Sequence, residues 1–157
     1  MKTTLLLVGK TQNPHFAALI DEYTTRLQHY LSFEILTIPE PRNTKSLSPQ
    51  QQKQAEGENI LRQLQPSDHV VLLDEHGRQF RSVQMADWLA RKMNTVSRRL
   101  LFIVGGPYGF SPDIYARADE QISLSPLTFS HQMVRLVFAE QLYRAMTILR
   151  GEPYHHE

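Results

Sequence analysis

The chain has 157 residues, of which 41% are hydrophobic and 21% charged, and its formal net charge is +1 at pH 7. This length suits one domain with one hydrophobic core, which we place at residues 1–157. The nearly balanced charge excludes a polycation, so a nucleic-acid partner would be held by a local basic surface. The lack of cysteine excludes disulfides, thiolate metal sites and cysteine nucleophiles, and it fits a cytoplasmic protein.

The apolar runs of the chain are short. None approaches the roughly 18 residues that a membrane-spanning helix needs, so no membrane association is expected. The N-terminal sequence MKTTLLLVGKTQ has no small-residue cleavage site after its apolar run. It therefore predicts a first strand and not a signal peptide.

Strands and helices are predicted to alternate. Five apolar runs predict strands, at residues 3–8, 33–38, 69–74, 100–104 and 121–124. Capping pairs and helical spacing predict helices at residues 13–31, 48–64 and 82–94, a short one from 111, and a last one at 130–149. The third strand is continuously apolar, which is typical of a parallel strand buried on both faces. The order predicts an α/β fold with a mainly parallel sheet flanked by helices.

Three local features carry further expectations. The residues from Asp74 to Gly77 are expected to turn the chain at the end of the third strand. Trp88 stands beside the apolar stripe of its helix and is expected at an edge or in an interface. The polar segment 39–48 is interpreted as a mobile, solvated connection, with an RNA-contacting loop as the alternative.

A glycine-rich sequence, GGPYG at residues 105–109, directly follows the fourth predicted strand. Ligands on parallel sheets bind beyond the carboxyl ends of strands, and glycine lets a backbone approach a ligand closely. The pattern is not G-x-G-x-x-G, and no Lys-Ser or Lys-Thr pair follows it. A dinucleotide fingerprint and a phosphate loop are therefore not supported, while a structural turn and a ligand loop both stay open.

A second loop, SPLTFS at residues 125–130, joins the fifth predicted strand to the last helix. Its backbone N–H and C=O groups can hydrogen-bond the edge of a purine, while Leu124, Leu127 and Phe129 supply apolar walls. Small-molecule sites combine mostly apolar linings with a few fixed polar groups. The alternative is a plain helix N-terminus with Ser130 as its cap.

The last predicted helix is apolar around more than one face. We therefore expect one face to pack on the sheet and another on a second subunit, giving a homodimer. Glu140 and Arg144 stand at i,i+4 in the order that favours an ion pair. Arg135 and Arg144 project about 180° apart, so they cannot serve one site from one subunit. For each arginine a salt bridge and a substrate contact are both open.

The C-terminal tail GEPYHHE carries two side chains with useful chemistry. Tyr154 can stack on a nucleobase, and His155 can move a proton near neutral pH. Two adjacent histidines also suggest a metal, but no further ligand stands at a recognisable spacing, so no metal is expected.

Several sequences of the chain closely resemble a known family. IVGGPYGFSP, SLSPLTFSHQMVRLVFAEQLYRA and the terminal PYHHE, together with LLDEHG, resemble the ribosomal RNA large subunit methyltransferase H family. These are small proteins of the SPOUT, or α/β-knot, superfamily. The resemblance covers the whole chain, with the motifs in the same order and at matching spacing.

The resemblance implies properties that pattern and spacing do not show. It implies a C-terminal deep trefoil knot, which the general rule against knots would exclude, and it implies a homodimer. It implies S-adenosyl-L-methionine as the cofactor and, as substrate, N3 of a pseudouridine in helix 69 of 23S rRNA within the ribosome. Carried onto this chain, the cofactor contacts are Leu73, Gly105, Gly106, Leu124, Ser125, Pro126, Leu127, Thr128 and Phe129.

The same resemblance suggests which residues perform the chemistry. N3 of a pseudouridine carries an imide proton, so a general base or a positive charge that stabilises the anion is needed. His155, Tyr154 and Arg144 are the expected catalytic residues. The family tail usually reads His-Arg-Glu, whereas this chain has His156 in place of the arginine. The alternatives are methylation of another RNA and a catalytically silent RNA-binding or ribosome-assembly factor.

Overall fold

The computed structural model describes residues 1–156, so Glu157, the last residue of the tail motif, lies outside the described residues. The strands are β1 (Lys2–Val8), β2 (Ser32–Ile38), β3 (Asp68–Gln79), β4 (Arg99–Val104) and β5 (Glu120–Ser123). The helices are α1 (Pro14–Leu27), α2 (Pro49–Leu61), α3 (Ser82–Thr95), α4 (Pro112–Arg117) and α5 (Met133–Leu149), with a 3-10 turn at Thr44–Ser46. Within residues 1–156, no helix has the length and apolarity required to cross a membrane.

The five strands form one parallel sheet in the order β2-β1-β4-β3-β5. The predicted α/β fold with a parallel sheet flanked by helices is confirmed. β1, β4 and β3 occupy the interior of the sheet, and their sequences are the most continuously apolar, because both of their faces are covered. Their carboxyl ends meet at one edge, where the glycine-rich turn begins.

Alternate side chains of the sheet enter two separate cores. Leu5 and Phe102 face one side, where α1, α3 and α5 supply the facing apolar residues. Phe102 contacts Phe138 of α5 there, with ring centroids 4.7 Å apart. Leu6 and Ile103 face the other side, against α2 and α4. The chain is thus a three-layer sandwich, and α2 lies behind the glycine-rich turn.

The third strand does not end where its sequence suggests. β3 continues to Gln79, and its pairing with β5 shifts register between Leu73 and Arg78. The intervening residues bulge from the sheet edge before the strand resumes. Gly77 makes this possible, because a Cβ there would lie 2.6 Å from the backbone carbon of Gln121. The expected turn at Asp74 is therefore a bulge.

Trp88 is fully packed, with 2% of its surface exposed, so the expectation of a place at an edge or in an interface is wrong. Its indole Nε1 donates a hydrogen bond to Glu120 Oε1 at 3.0 Å. The ring packs between Phe80 and Phe102. A polar partner from β5, distant in sequence, allows the indole to be buried.

A buried ion pair joins the amino ends of β3 and β4. Arg99 donates from Nε to Asp68 Oδ1 at 2.8 Å and from Nη2 to Oδ2 at 2.5 Å. Burial alone would raise the pKa of Asp68, but the hydrogen bonds from Arg99 and from the backbone N–H of Gln65, with the nearby charges, hold that pKa below its usual value. The ionised carboxylate is therefore bound more tightly in the folded chain.

Replacing Asp68 with Asn should lower the free energy of unfolding at pH 7 by about 3–5 kcal/mol, because Arg99 loses its buried partner. A depressed carboxyl pKa stabilises the fold above roughly pH 4, the unfolded value, and this contribution is lost as pH falls through the folded pKa. Urea unfolding at pH 7 and at acidic pH measures both effects. Asp113→Asn is the exposed control, expected within about 0.5 kcal/mol of the parent. A D68N deficit that stays constant at acidic pH would contradict this assignment.

Candidate functional site

A cleft of about 640 Å³ opens at the carboxyl ends of β3, β4 and β5. Three segments form its walls: the bulged part of β3, the glycine-rich turn and the loop that leads to α5. Of the residues expected to contact a cofactor, Leu73, Gly105, Gly106, Leu124, Ser125, Leu127, Thr128 and Phe129 line this cleft. Pro126 belongs to the same loop but is not among the lining residues. The sequence-based selection therefore falls on one continuous surface.

The glycine-rich segment is both a tight turn and a wall of the cleft. Gly109 N donates to Gly106 O at 3.2 Å, which closes the turn immediately after β4. Gly109 has φ +80°, a conformation that favours glycine. Residues 104–110 all line the cleft. The structural turn and the ligand loop, which the sequence left open as alternatives, are therefore the same segment.

The loop before α5 is organised by two serine side chains. Ser125 Oγ accepts a hydrogen bond from Leu127 N at 3.0 Å. Ser130 Oγ accepts from Met133 N at 3.1 Å, so Ser130 terminates the loop in the manner of a cap while the helix itself begins at Met133. Leu127 is 74% exposed at the cleft mouth. An apolar side chain so placed suits contact with a ligand or a partner.

Two carboxylates on the cleft wall were not among the expected site residues. Tyr115 of α4 donates its phenol hydrogen bond to Asp74 Oδ2, and Thr128 Oγ1 donates to Glu75 Oε2 at 2.9 Å. Burial and the Asp74 carboxylate raise the pKa of Tyr115, so its phenol stays a donor at neutral pH. The end of the third strand was the only sequence signal for these groups. Nothing in sequence indicated Tyr115.

The chemistry of the cleft favours a small organic cation. Its size lies within the range of small-molecule sites, and apolar side chains and backbone groups line it together. Asp74 and Glu75 supply two negative charges to the walls and Lys53 supplies one positive charge, so the lining is acidic in balance and suits a positively charged ligand group. Within the described residues, no group of three or more His, Cys, Asp or Glu side chains is placed to hold a metal ion.

The three expected catalytic residues lie together outside the cleft, Arg144 on α5 and Tyr154 and His155 in the tail that follows it. Arg144 donates from Nη1 to His155 Nδ1 at 3.1 Å and from Nη2 to Glu140 Oε1 at 2.7 Å. Tyr154 donates to the same Glu140 oxygen at 2.9 Å, and its ring packs edge-on against Tyr143. The expected pairing of Glu140 with Arg144 is confirmed. We call these five residues the tail cluster.

The tail cluster is well separated from the cleft. Val134, in the first turn of α5, lines the cleft, and Arg144 follows ten residues later on the same helix. At 1.5 Å per residue, the two positions are about 15 Å apart along the helix axis. A single chain therefore presents two chemically distinct surfaces that do not meet within it.

The hydrogen bonds of the tail cluster define which atoms donate. Burial raises the pKa of Tyr154, and its hydrogen bonds to Tyr23 and Glu140 raise that pKa further, so the phenol is a donor and not a base at neutral pH. A guanidinium group can only donate, so His155 Nδ1 accepts from Arg144. The proton of the neutral imidazole is then on Nε2.

Arg135 takes neither of the roles that the sequence left open for it. The side chain is 1% exposed. Its guanidinium donates to Val8 O at 2.8 Å, Gly9 O at 2.9 Å and Thr11 Oγ1 at 3.0 Å. Arg135 thus ties the start of α5 to the end of β1 through backbone oxygens.

Comparison with known proteins identifies the family. A sequence model described as a predicted SPOUT methyltransferase matches residues 1–155. The chain belongs to the SPOUT methyltransferase family. This SPOUT methyltransferase is 61% identical to a protein of Phocaeicola vulgatus and 59% identical to one of Bacteroides thetaiotaomicron, over 157 residues and 100% of each chain. Both relatives are named Ribosomal RNA large subunit methyltransferase H, so the resemblance inferred from the motifs is confirmed.

A solved structure supports the fold of this SPOUT methyltransferase independently. The crystal structure of a tRNA (m1G37) methyltransferase from Aquifex aeolicus superposes with a TM-score of 0.56. The match covers 100% of this chain and 76% of the other, at 15% sequence identity. At that identity the likeness concerns the fold alone.

Proposed function

We propose that this enzyme transfers a methyl group from S-adenosyl-L-methionine to N3 of a pseudouridine in helix 69 of 23S rRNA, within the ribosome. The observation that carries the proposal is the full-length identity of 61% with a protein named Ribosomal RNA large subunit methyltransferase H. Residues 1–157 act as one domain in this proposal. Its substrate is ribosomal, which agrees with a cytoplasmic location.

The cleft supports S-adenosyl-L-methionine as the cofactor. Its apolar walls suit an adenine ring, and the backbone of the loop 124–129 offers donors and acceptors to the edge of that ring. Asp74 and Glu75 supply negative charge toward the sulfonium and amino groups of the cofactor. The expected contact residues thus bind the nucleoside part of the cofactor, and the two carboxylates, which the sequence did not predict, lie near its positive charges.

The chain path supports a C-terminal trefoil knot. β5 lies at the sheet edge beside β3, yet the next segment crosses the carboxyl ends of the inner strands to reach β1. There Gln132 Oε1 accepts a hydrogen bond from Gln12 N at 2.8 Å, and Arg135 binds the end of β1. We propose that this crossing passes through the loop after β4, forming the knot around the cleft.

A homodimer would unite the cleft with the tail cluster. Met133, Leu136 and Val137 of α5 are half-buried and belong to neither hydrophobic core, so they form an apolar stripe suited to a second subunit. Glu140 and Arg144 continue this stripe toward the tail. If two α5 helices pair antiparallel about a two-fold axis, the tail cluster of one subunit lies at the cleft end of the other.

In this arrangement the tail cluster activates the nucleobase. Removal of the N3 proton leaves a negative charge shared with the neighbouring carbonyl oxygens, and Arg144 supplies a permanent positive charge to stabilise it. His155 accepts the N3 proton at Nδ1 once that atom leaves Arg144; where His155 instead donates from Nε2 to a carbonyl oxygen, solvent water accepts the N3 proton. Tyr154 acts by stacking and by donating a hydrogen bond. Bound S-adenosyl-L-methionine supplies the electrophilic methyl group.

The protein is expected to act on ribosomes and not on isolated RNA, because its net charge of +1 provides little attraction for free RNA. Isothermal titration of the protein with S-adenosyl-L-methionine should show heat of binding. Mass spectrometry of 23S rRNA should find a methyl group at the helix 69 pseudouridine only in cells that carry the gene. Purified protein should methylate ribosomes but not a short helix 69 hairpin. Absence of titration heat would favour a silent RNA-binding factor, and methyl at another position would favour another RNA target.

A further inference from the structure

A buried glutamate lies directly behind the glycine-rich turn. Glu56 of α2 is 3% exposed. Its Oε2 accepts a hydrogen bond from Gln52 Nε2 at 3.2 Å, while Oε1 has no hydrogen-bond partner in the described part of the chain. Burial raises the pKa of this carboxyl and the charge of Glu40 adds to the rise; Gln52 and the backbone N–H of Gly106 oppose it.

The carboxylate of Glu56 fills the space that a side chain at position 106 would need. A Cβ on Gly106 would lie 2.5 Å from Glu56 Oε2 and 2.7 Å from Cδ. The next residue makes a similar close contact, because a Cβ on Gly57 would lie 3.1 Å from Ser111 Cβ. The Glu56-Gly57 pair therefore packs α2 against Gly106 in the turn that forms a cleft wall and against Ser111, two residues after that turn.

The fold alone gives no reason for a carboxylate at position 56. A buried carboxylate met by neutral donors, the Gln52 amide and the Gly106 N–H, costs stability, and an apolar residue of similar volume would avoid that cost. Groups that are unfavourable for stability concentrate where a site must be held in one geometry. Gly105 and Gly106 of this turn also line the cleft.

We propose that Glu56 is a positioning residue of the cofactor site. It holds the Gly106 backbone from behind, so that the turn at residues 105–109 presents its other side to the cofactor in a fixed geometry. This inference rests on the proposed function, in which the cleft binds S-adenosyl-L-methionine. It also assigns Gly106 a second reason to be glycine: the space beside its Cα belongs to Glu56.

The test is a double-mutant cycle of Glu56→Ala and Gly106→Ala, with cofactor affinity measured by titration calorimetry and the unfolding temperature measured in parallel. Glu56→Ala should weaken binding of S-adenosyl-L-methionine at least about 10-fold, since a turn shifted by a fraction of an ångström loses its contacts. Its unfolding temperature should be unchanged or higher. Gly106→Ala alone should lower both the cofactor affinity and the unfolding temperature. In the Glu56→Ala background the new methyl group fits the vacated space, so Gly106→Ala should lower neither of them further.

Two further variants sharpen the outcome. Glu56→Gln keeps an oxygen that can face the Gly106 N–H and should restore affinity to within about 3-fold of the parent. Glu58→Ala changes an exposed carboxylate on the same helix and should have no effect. Glu56→Asp, which withdraws the carboxylate by one methylene, should weaken binding at least about 3-fold and serves if the alanine variant is insoluble.

Several results would overturn the inference. One is a cofactor affinity of Glu56→Ala or Glu56→Asp equal to that of the parent. Another is a loss of cofactor affinity on Gly106→Ala that is equally large with and without Glu56, since Gly106 would then contact the cofactor directly. If the unfolding temperature of Glu56→Ala falls so far that unfolding explains the lost cofactor affinity, Glu56 has a structural role only. If the parent protein shows no binding at all, the proposed function fails, and this inference fails with it.

Discussion

Replacing His155 with alanine is expected to lower turnover on ribosomes by about 100-fold, the effect of removing one acid–base or hydrogen-bonding group from a transition state. The affinity for S-adenosyl-L-methionine should change by less than about 2-fold, because His155 lies in the tail cluster and not among the cleft residues. Single-turnover methylation of ribosomes and titration calorimetry measure the two quantities separately.

Two variants define how His155 acts. Glutamine at position 155 retains an N–H donor but cannot accept a proton at neutral pH, so partial recovery with Gln indicates hydrogen bonding and no recovery indicates a base. The exposed neighbour His156 is the matched control, and H156A should behave like the parent. Unchanged turnover in H155A would reject any catalytic role for this side chain.

The fold was predictable where one segment determines its own structure. The apolar runs of β1, β3 and β4 indicated strands, and the run of β3 indicated burial on both faces. The Ser48-Pro49 pair placed the start of α2, where Ser48 and Gln51 form a capping box. The continuation of β3 was not predictable, because Asp74 to Gly77 has the composition of a turn. Only the close approach of Gly77 to the neighbouring strand permits the bulge.

The site was predictable in part for the same reason. The residues expected to contact a cofactor occupy short contiguous loops after strands, and the carboxyl ends of parallel strands always meet at one edge. Glu56 comes from a helix whose sequence is mainly polar, and Tyr115 from a helix of only six residues, so nothing local distinguishes either residue from exposed ones. Their roles arise from packing against the cleft wall, which depends on the whole sheet.

Heterodimers provide the decisive test of whether the tail cluster acts on the partner's cleft. One chain would carry His155→Ala, and the other Ser125→Arg, which adds bulk and positive charge to the cleft wall against a cationic cofactor. If the tail acts across the interface, the intact tail of the second chain serves the intact cleft of the first. A heterodimer purified with two affinity tags should then have about half the activity of the parent dimer, from one working site of two.

The reciprocal arrangement inverts this expectation. When both substitutions are in one chain and the other chain is unchanged, a tail that acts on its partner leaves each site with one damaged component, and activity falls to background. A tail that acts within its own subunit gives the opposite pair of results, with about half activity in this arrangement and none in the first. The roughly 15 Å between Arg144 and the cleft along α5 favours action across the interface. Equal activity in both arrangements would show that the tail cluster does not act on one cleft alone, neither that of its own subunit nor that of its partner.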